Sequence, residues 1–293
     1  MRRAQLIEGI RRFFVQQGYL EVETPILLPT IAPEIHIEPH VSGRFFLQTS
    51  PELCMKRMLA GGHTRIYQIA RCFRRGERGR LHLPEFTMLE WYRVDADYFD
   101  LMEECEDLFL YLLGSLGLEQ IISYGGHTIT LEKSWERITV AEAFLRFSPI
   151  SMADALAAGS FDEILVQYLE PHLGMRAPTF LYDYPASLAS LARTKEDDPS
   201  VAERFEVYVA GIEMANGFSE LTDATEQRRR FEQERESIRS QGRDPGMLPE
   251  KFLHDLSGMP DAAGIALGVD RLVMLFIGST CIDEVVSFTP EEL

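Results

Sequence analysis

The chain has 293 residues and is 45% hydrophobic, so it can bury one large core, and a single domain is expected. Its formal net charge of -17 argues against a tRNA partner, because nonspecific affinity for nucleic acid depends on neutralising phosphates. No apolar run approaches the roughly 20 residues that span a bilayer, so we expect neither a membrane span nor a signal peptide. The four cysteines form no CxxC pair, which indicates a reduced, cytoplasmic protein without disulfides or zinc.

The N-terminal residues predict a helix. Leu6, Ile10 and Phe14 recur at helical spacing, and Gly18 is placed to end the helix. Further along, Ser50 followed by Pro51 predicts the N-cap and first turn of a second helix. That helix carries two ionisable side chains, Glu52 and Lys56.

The segment Arg71–Arg93, RCFRRGERGRLHLPEFTMLEWYR, predicts a hairpin with a basic, glycine-broken loop. On its second strand, alternation places an aromatic plate, an acid and a phenol on one face: Phe86, Met88, Glu90 and Tyr92. The loop offers guanidinium and imidazole groups that suit phosphate or carboxylate oxygens: Arg74, Arg75, Arg78, Arg80 and His82. The hairpin alone is compatible with a nucleotide and amine site or with a solvated tip.

Helical segments follow the hairpin. The spacing of apolar residues predicts a helix over Asp97–Leu116, and residues 134–174 are expected to form small helices with a break near Gly159. This middle region is the expected insertion or subdomain. The charge-rich segment Asp223–Arg239 predicts a solvated surface helix without a functional signal.

A second hairpin is predicted around the turn Ala210–Gly211, which would bring Glu206 and Glu213 near each other. After the turn, Asn216, Phe218 and Glu220 share one strand face. A carboxylate on an apolar strand is costly unless a cation or hydrogen-bond donors compensate it. Acids on two such strands therefore predict a cationic ligand.

Near the C-terminus, AGIALGVDRLVMLFIG (Ala263–Gly278) predicts a strand that runs into an apolar helix, with Asp270 and Arg271 at the junction. The start of a helix is an anion site, because its free N–H groups and its dipole face a ligand. Gly264 and Gly268 are expected to allow close approach.

Together these segments resemble the catalytic domain of class II aminoacyl-tRNA synthetases. EVETPIL (Glu21–Leu27) looks like the first motif of that family, the Arg71–Arg93 hairpin the second and Gly268–Arg271 the third, in family order. The resemblance implies one α/β (α+β) domain over residues 1–293, with a mainly antiparallel sheet flanked by helices, and a homodimer formed through the first motif.

Two further segments, TSPELCMKRML (Thr49–Leu59) and EVYVAGIEMANGFSEL (Glu206–Leu221), are similar to the lysine-specific members. The match extends to the stand-alone lysine-type paralogues, which transfer (R)-β-lysine to elongation factor P. No anticodon-binding domain is expected, since Met1 leads at once into the helix before the first motif.

The resemblance implies roles for individual residues in ATP-dependent activation of a carboxylate. Arg74 would bridge the amino-acid carboxylate and the α-phosphate, and Arg271 would join it as a catalytic residue. ATP would also contact Glu77, His82, Phe86 and Glu206, with Mg²⁺ held by Glu206 and Glu213. The lysine or (R)-β-lysine would contact Ser50, Glu52, Glu90, Tyr92, Asn216, Phe218, Glu220 and Ala266.

The sequence departs from the lysine enzymes at the second motif. Those enzymes read FRNE and carry Asn before the PEF triplet, whereas this chain has Phe73-Arg74-Arg75-Gly76 and Leu83. Glu77 is expected to replace the missing acid through a local loop shift. Ala266 stands where tRNA-charging relatives have glycine, and its methyl group favours β-lysine over α-lysine.

Two alternatives remain at the level of sequence. One is a free-standing or truncated lysyl-tRNA synthetase that activates α-lysine, which would need a surface for tRNA. The other is a non-catalytic regulatory paralogue, which would be expected to have lost the phosphate arginines or the metal acids. Arg74, Arg271, Glu206 and Glu213 are all present.

Overall fold

An eight-stranded mixed sheet lies at the centre of the computed structural model, which describes residues 2–293. The strands are β1 (Leu20–Glu21), β2 (Leu27–Leu28), β3 (Val41–Ser42), β4 (Phe45–Leu47), β5 (Arg65–Phe73), β6 (Glu85–Val94), β7 (Ile121–Tyr124), β8 (His127–Thr130), β9 (Glu136–Thr139), β10 (Thr179–Pro185), β11 (Val201–Val209), β12 (Ile212–Ser219) and β13 (Ala262–Gly268). The central sheet has the order β1-β5-β6-β13-β12-β11-β10-β9, and β2-β4-β3 and β7-β8 form two smaller sheets. In the central sheet β1 pairs with β5, and β9 with β10, in parallel. The other neighbours are antiparallel, which confirms the predicted fold class.

Helices flank the sheet. They are α1 (Arg2–Gln16), α2 (Glu52–Ala60), α3 (Tyr98–Ser115), α4 (Val140–Phe147), α5 (Met152–Ala158), α6 (Phe161–Ile164), α7 (Ala224–Ser240), α8 (Glu250–Leu256) and α9 (Val269–Ile277). A π-helical turn (Leu165–Leu169) and 3₁₀ turns at Glu170–His172, Ala186–Leu188, Ile282–Val285 and Pro290–Glu292 complete the helical content. From residue 2 to residue 293, no helix is long and apolar enough to cross a membrane.

The first and third helices follow the sequence predictions. In α1 the buried side chains include Leu6, Ile10 and Phe14, and Gly18 adopts a φ of 76° just beyond the helix end. In α3 the Asp97 side chain accepts from the N–H groups of Phe99 and Asp100, and the Asp100 carboxylate accepts from the Asp97 N–H. This capping box explains why the helix begins where the sequence indicates.

The main core lies between one face of the central sheet and helices α1, α3 and α9. On β6, Leu89 and Trp91 point into this core, where the Phe14 ring stacks on Tyr67 at a centroid distance of 4.6 Å. Because side chains alternate along a strand, the even-numbered residues of β6 face the other way. That face carries the polar cavity described below.

The region from 134 to 174 differs in part from the predicted helical insertion. Residues Glu136–Thr139 form strand β9, which extends the central sheet beside β10. The strand forms because Ile138 is buried against neighbouring apolar residues while Glu136 and Arg137 stay exposed. Helices follow as predicted, and Gly159, with a φ of 65°, ends α5.

The predicted start of α2 shifts by one residue. Pro51 is the N-cap instead of the first helical residue, because its backbone directly precedes the turn that begins at Glu52. Ser50 therefore lies one residue before the N-cap and not at it, although its Oγ accepts from the Glu52 N–H at 3.0 Å. The four cysteines, all within the described residues, are free thiols.

Candidate active site

A cavity of about 550 Å³ opens on the polar face of β6, β12 and β13. All but one of the site residues predicted from the sequence line it. They are Ser50, Glu52, Arg74, Glu77, His82, Phe86, Glu90, Tyr92, Glu206, Glu213, Asn216, Phe218, Ala266 and Arg271. The exception is Glu220, which lies behind the cavity wall.

The carboxylate of Glu90 in the cavity wall accepts hydrogen bonds from two neutral side chains. The Ser50 hydroxyl donates to its Oε1 at 2.6 Å and the Tyr92 hydroxyl to its Oε2 at 2.7 Å. Burial, together with the negative charge of Glu52, raises the Glu90 pKa to about 7. Two neutral donors therefore orient an acid whose charge needs a cation.

The floor beside Glu90 is set by strand register. Ala266 of β13 pairs with Glu90 on one side and with Asn216 of β12 on the other. Two residues earlier, a Cβ at Gly264 would come within 2.3 Å of the Tyr92 ring and 2.4 Å of Glu220 Oε1. Packing against Tyr92 and Glu220 therefore requires glycine at Gly264, while the expected close approach of a ligand there stays a prediction. At Gly268 a Cβ would meet only ordinary contacts at 3.6 Å or more, so the protein itself does not require glycine there.

Glu220 is fully buried and does not line the cavity. The ammonium of Lys56 lies 2.5 Å from its Oε2 and 2.6 Å from Glu52 Oε1. Burial, with added repulsion from Glu52 and Glu90, raises the Glu220 pKa to about 8 in spite of the Lys56 charge. Phe218, two residues before Glu220, forms the cavity wall at this point, and Glu220 does not. The direct contact that was expected between Glu220 and a ligand is therefore not available in this arrangement.

The loop between β5 and β6 sends one arginine into the cavity. The Arg74 guanidinium carbon lies 5.2 Å from the centroid of the Phe86 ring, and Arg74 Nη1 lies 3.7 Å from Glu77. Glu77 thus reaches the cavity, as predicted.

The other loop arginines, which the sequence offers for phosphate or carboxylate oxygens, do not line the cavity. Their guanidinium groups are held by partners outside the cavity: Arg75 by Glu38, Arg78 by Asp283 and Glu291, and Arg80 by the Thr280 carbonyl. The turn of the loop at Gly76, with a φ of 78°, lies between Arg74 and the later arginines Arg78 and Arg80.

The junction of β13 and α9 places Arg271 between the basic loop and β12. Its Nη1 donates to the Glu213 carbonyl at 2.6 Å, and its Nη2 lies 2.7 Å from His82 Nε2. Burial and the Arg271 charge lower the His82 pKa, so the imidazole is neutral at pH 7 and its Nε2 accepts from Arg271. His82 therefore orients Arg271.

Asp270 connects the junction to two other elements. Its carboxylate accepts from Arg3 of α1 at 2.5 Å and from the Thr87 N–H of β6 at 2.7 Å. The side chain is 3% exposed. This acid therefore fixes the start of α9, and Arg271 with it, relative to β6.

Two carboxylates at the far end of the cavity match the predicted metal acids. The first is Glu206, whose Oε2 accepts from the Tyr184 hydroxyl at 2.6 Å and from the Tyr208 hydroxyl at 2.7 Å. Its Oε1 accepts from Arg204 at 2.7 Å. Burial and the Glu206 charge raise the Glu213 pKa. Carboxylates that repel one another in this way suit a divalent cation that also has phosphate ligands. In residues 2–293 no group of three or more His, Cys, Asp or Glu residues converges as a metal site by itself.

Sequence reasoning missed several acids around the cavity. Glu234 was assigned to a solvated helix, but it lines the cavity and accepts from the Ile35 N–H at 2.9 Å. It thereby holds the loop that brings Glu34 to the cavity wall. Burial, with repulsion from Glu52, raises the Glu34 pKa to about 7. Glu170 has a pKa raised to about 7 by burial and by Glu213. Glu234 was missed because its charge-rich helix was taken to be solvated on all sides. Glu34 and Glu170 lie outside the segments whose periodicity marked the cavity wall.

Comparisons with known proteins agree with this geometry. The family model described as tRNA synthetases class II (D, K and N) matches residues 1–292. The elongation factor P–(R)-β-lysine ligase of Proteus mirabilis (strain HI4320) is 41% identical over 304 residues, covering 98% of this chain and 94% of the relative. The protein of the same name from Salmonella gallinarum is 42% identical over 307 residues, with 99% and 94% covered. That of Salmonella heidelberg is 42% identical over 305 residues, with the same coverage.

Proposed function

This chain belongs to the family of class II tRNA synthetases, and we propose that it is an ATP-dependent ligase that activates (R)-β-lysine and transfers it to elongation factor P. The relatives at 41 to 42% identity carry that name and are matched over nearly their whole length. The single observation that carries the proposal is the pairing of a buried acidic pocket around Glu90 with Arg74 in one cavity.

Activation needs the amino-acid carboxylate next to the α-phosphate of ATP. A carboxylate oxygen attacks the α-phosphorus, the bond to the bridging oxygen breaks, and pyrophosphate leaves. Arg74 would neutralise the charge that develops between the two reactants, which is the main task of the protein in such a step. The acceptor lysine then attacks the acyl carbon through its neutral amine. AMP leaves, and the amine loses a proton.

The nucleotide end of the cavity is assigned from its rings and charges. Phe86 would stack on adenine, and Glu77 would contact it at the edge. Arg271, oriented by His82, would bind the outer phosphates. Glu206 and Glu213 would hold Mg²⁺ together with phosphate oxygens, where the ion would neutralise phosphate charge.

The amino-acid end is assigned from its acids. Glu90, with its donors Ser50 and Tyr92, would bind one ammonium group, and Glu52 would bind the other. Asn216 would bind the carboxylate, and Phe218 would pack on the carbon chain. Acids buried at this density suit a diamino acid, because each ammonium offsets one carboxylate that burial has otherwise made costly.

Pyrophosphate exchange tests the activation step. We expect Mg²⁺-dependent incorporation of labelled pyrophosphate into ATP when (R)-β-lysine is present, and far less incorporation with a neutral amino acid of similar length. Absence of exchange with either lysine isomer would rule out the proposed activity.

The preference between lysine isomers is expected to depend on Ala266. Ala266 pairs with Glu90 on one side and with Asn216 on the other, so its methyl group would lie between the proposed ammonium and carboxylate sites. Ala266→Gly should improve the use of α-lysine relative to (R)-β-lysine by about 10- to 200-fold, the range expected for one methyl group. The isomer preference is measured as the ratio of kcat/KM for the two isomers. An unchanged ratio in Ala266→Gly would show that Ala266 does not determine the preference.

A symmetric homodimer is part of the proposal. Large apolar side chains are exposed around the segment that resembles the first motif: Leu20 (54%), Ile26 (42%), Leu27 (49%) and Val41 (65%). An apolar patch on and beside an edge strand suits a two-fold contact with a second copy. Light scattering at micromolar concentration should give twice the mass of the 33.4 kDa chain, and a monomer would contradict the proposal.

A further inference from the structure

Arg78 lies in the loop between β5 and β6, outside the cavity, and its guanidinium group contacts two acids from the C-terminal part of the chain. Its Nη1 and Nη2 donate to the two carboxylate oxygens of Asp283, each at 2.9 Å. Its Nε and Nη2 donate to the two oxygens of Glu291, each also at 2.9 Å. Both contacts are therefore bidentate, the geometry in which a pair of arginine and carboxylate is strongest.

These three side chains, called the Arg78 ion cluster below, differ from an ordinary surface ion pair. An isolated exposed pair contributes little, whereas a bidentate arginine shared by two acids forms a network. The side chains of Arg78 and Asp283 are 32% and 33% exposed, so most of both is shielded from water. The cluster is therefore able to hold two segments of the chain together.

The two acids of the cluster have fixed positions. Asp283 lies in the 3₁₀ turn Ile282–Val285, whose two end residues are buried in the main core. Glu291 lies in the 3₁₀ turn Pro290–Glu292, which a capping box at Thr289 stabilises. The acids are thus anchored by the rest of the molecule, and the loop is the part that they position.

The loop itself, residues 74–84, has little packing of its own around its two glycines. A Cβ added at Gly76 or Gly79 would meet no atom within 4 Å, so the backbone there lies in open space. Yet the same loop carries Glu77 and His82, which line the cavity. Contacts outside the cavity therefore have to fix the loop if these side chains are to be in place before a ligand binds.

A second contact joins the loop to the same C-terminal turn. The Ile282 N–H donates to the Arg80 carbonyl at 2.9 Å, and Arg80 Nη1 donates to the Thr280 carbonyl at 3.0 Å. Ile282 also lines the cavity. The segment that holds the loop is therefore part of the cavity wall as well.

We propose that Arg78 is a positioning residue for ATP, because its ion pairs with Asp283 and Glu291 hold the loop in the conformation that binds the nucleotide. This inference rests on the proposed function and extends it, since it assigns part of the ATP affinity to an ion cluster outside the cavity. Without the cluster, the loop has to be ordered when ATP binds, and this ordering lowers the affinity.

The effect extends from the loop to the outer phosphates of ATP. His82 lies 2.7 Å from Arg271 Nη2 and orients that guanidinium group. Loss of loop order would therefore disturb Glu77, His82 and Arg271 together. The acids assigned to the substrate amines, Glu52 on α2 and Glu90 on β6, do not belong to the loop.

ATP binding without the amino acid tests this role directly. In Arg78→Ala the Kd for Mg²⁺–ATP, measured by calorimetry, should rise about tenfold, the loss expected when a loop must be ordered on binding. KM for (R)-β-lysine should change less than about twofold, because the loop does not carry the acids of the amino-acid end. An equal Kd for ATP in Arg78→Ala and the wild type would overturn the inference.

A charge exchange separates the ion cluster from a simple effect of side-chain size. Arg78→Asp places a third acid beside Asp283 and Glu291, so it should weaken ATP binding more than Arg78→Ala does. The double variant Arg78→Asp/Asp283→Arg restores an arginine between acids. Its Kd for ATP should recover at least about threefold relative to Arg78→Asp, a coupling within the range for neighbouring residues. No recovery would show that the ion pairs do not position the loop.

Arg228→Ala is the matched control. Arg228 also forms a bidentate pair, with Glu250, and it does not line the cavity. Its side chain is 40% exposed, close to the value for Arg78. Its loss should leave the Kd for ATP unchanged, and a rise equal to that of Arg78→Ala would contradict the inference.

Trypsin cleavage of the loop provides a readout that needs neither ATP nor catalysis. Asp283→Asn/Glu291→Gln keeps every arginine of the loop and removes both acids. Cleavage between residues 74 and 80 should be at least about threefold faster than in the wild type, because cleavage follows the population of the opened loop. Equal rates would overturn the inference. If the wild type binds ATP but shows no exchange with either lysine isomer, the proposed activity fails, while the Kd comparison still decides the role of Arg78.

Discussion

Replacing Arg74 by alanine is expected to lower the rate of lysine-dependent pyrophosphate exchange by about 10²- to 10³-fold. Arg74 is the member of the basic loop whose guanidinium enters the cavity, between the Phe86 ring and the acidic end. Its contact is strongest when charge builds up between the carboxylate and the α-phosphate, so its loss should lower kcat as well as kcat/KM.

Arg71→Ala supplies the comparison for this prediction. Arg71 lies on the same strand that leads into the loop, but its side chain is 53% exposed and lies 3.6 Å from the equally exposed Glu85. A surface ion pair of this kind contributes little, so exchange should stay near the wild-type rate. Similar rates for Arg74→Ala and the wild type would mean that another group stabilises the transition state.

Glu90→Gln is expected to raise KM for the amino acid by at least about 30-fold while leaving KM for ATP nearly unchanged. Glutamine keeps the shape of the side chain but removes the charge that would pair with an ammonium group. It also replaces one acceptor by a donor next to Ser50 and Tyr92, which now both donate to Glu90. Equal effects on both substrates would indicate that Glu90 is structural.

The pH dependence of the same KM gives a second check on Glu90. The Glu90 pKa is raised to about 7 and that of Glu220 to about 8, so both acids take up protons as the pH falls through this range. A protonated carboxyl no longer attracts an ammonium group, and the wild-type KM for the amino acid should therefore rise towards lower pH. Glu90→Gln should flatten this dependence, because one of the titrating groups is gone.

Local periodicity explains why the sequence predicted most of the cavity wall. Alternation along β6 sets the direction of Phe86, Glu90 and Tyr92 before any tertiary contact is known. The strand-to-helix junction at Gly268 and Arg271 carries its own signal in the change from glycine-broken strand to apolar helix. Both features could be predicted from the sequence because they depend on residues that are close together in the chain.

Contacts between residues far apart in the chain could not be predicted from the sequence. The arginines after Gly76 were interpreted as suited to phosphate or carboxylate oxygens of a ligand, whereas Arg78 pairs with Asp283 and Glu291 of the protein itself, more than 200 residues away. Lys56 was interpreted only as a helix residue, because its ion pair joins α2 to Glu220, a residue that follows β12 far along the chain. The same pairing withdraws Glu220 from the cavity that alternation with Asn216 and Phe218 had assigned to it.

The mass of elongation factor P after incubation with this protein, ATP, Mg²⁺ and (R)-β-lysine tests the central claim most directly. The account predicts a mass increase of one lysyl residue on a lysine side chain of the acceptor, absent without ATP and strongly reduced with Arg74→Ala. A parallel reaction with bulk tRNA should yield no aminoacylated tRNA. An unmodified acceptor together with efficient charging of tRNA would contradict the account.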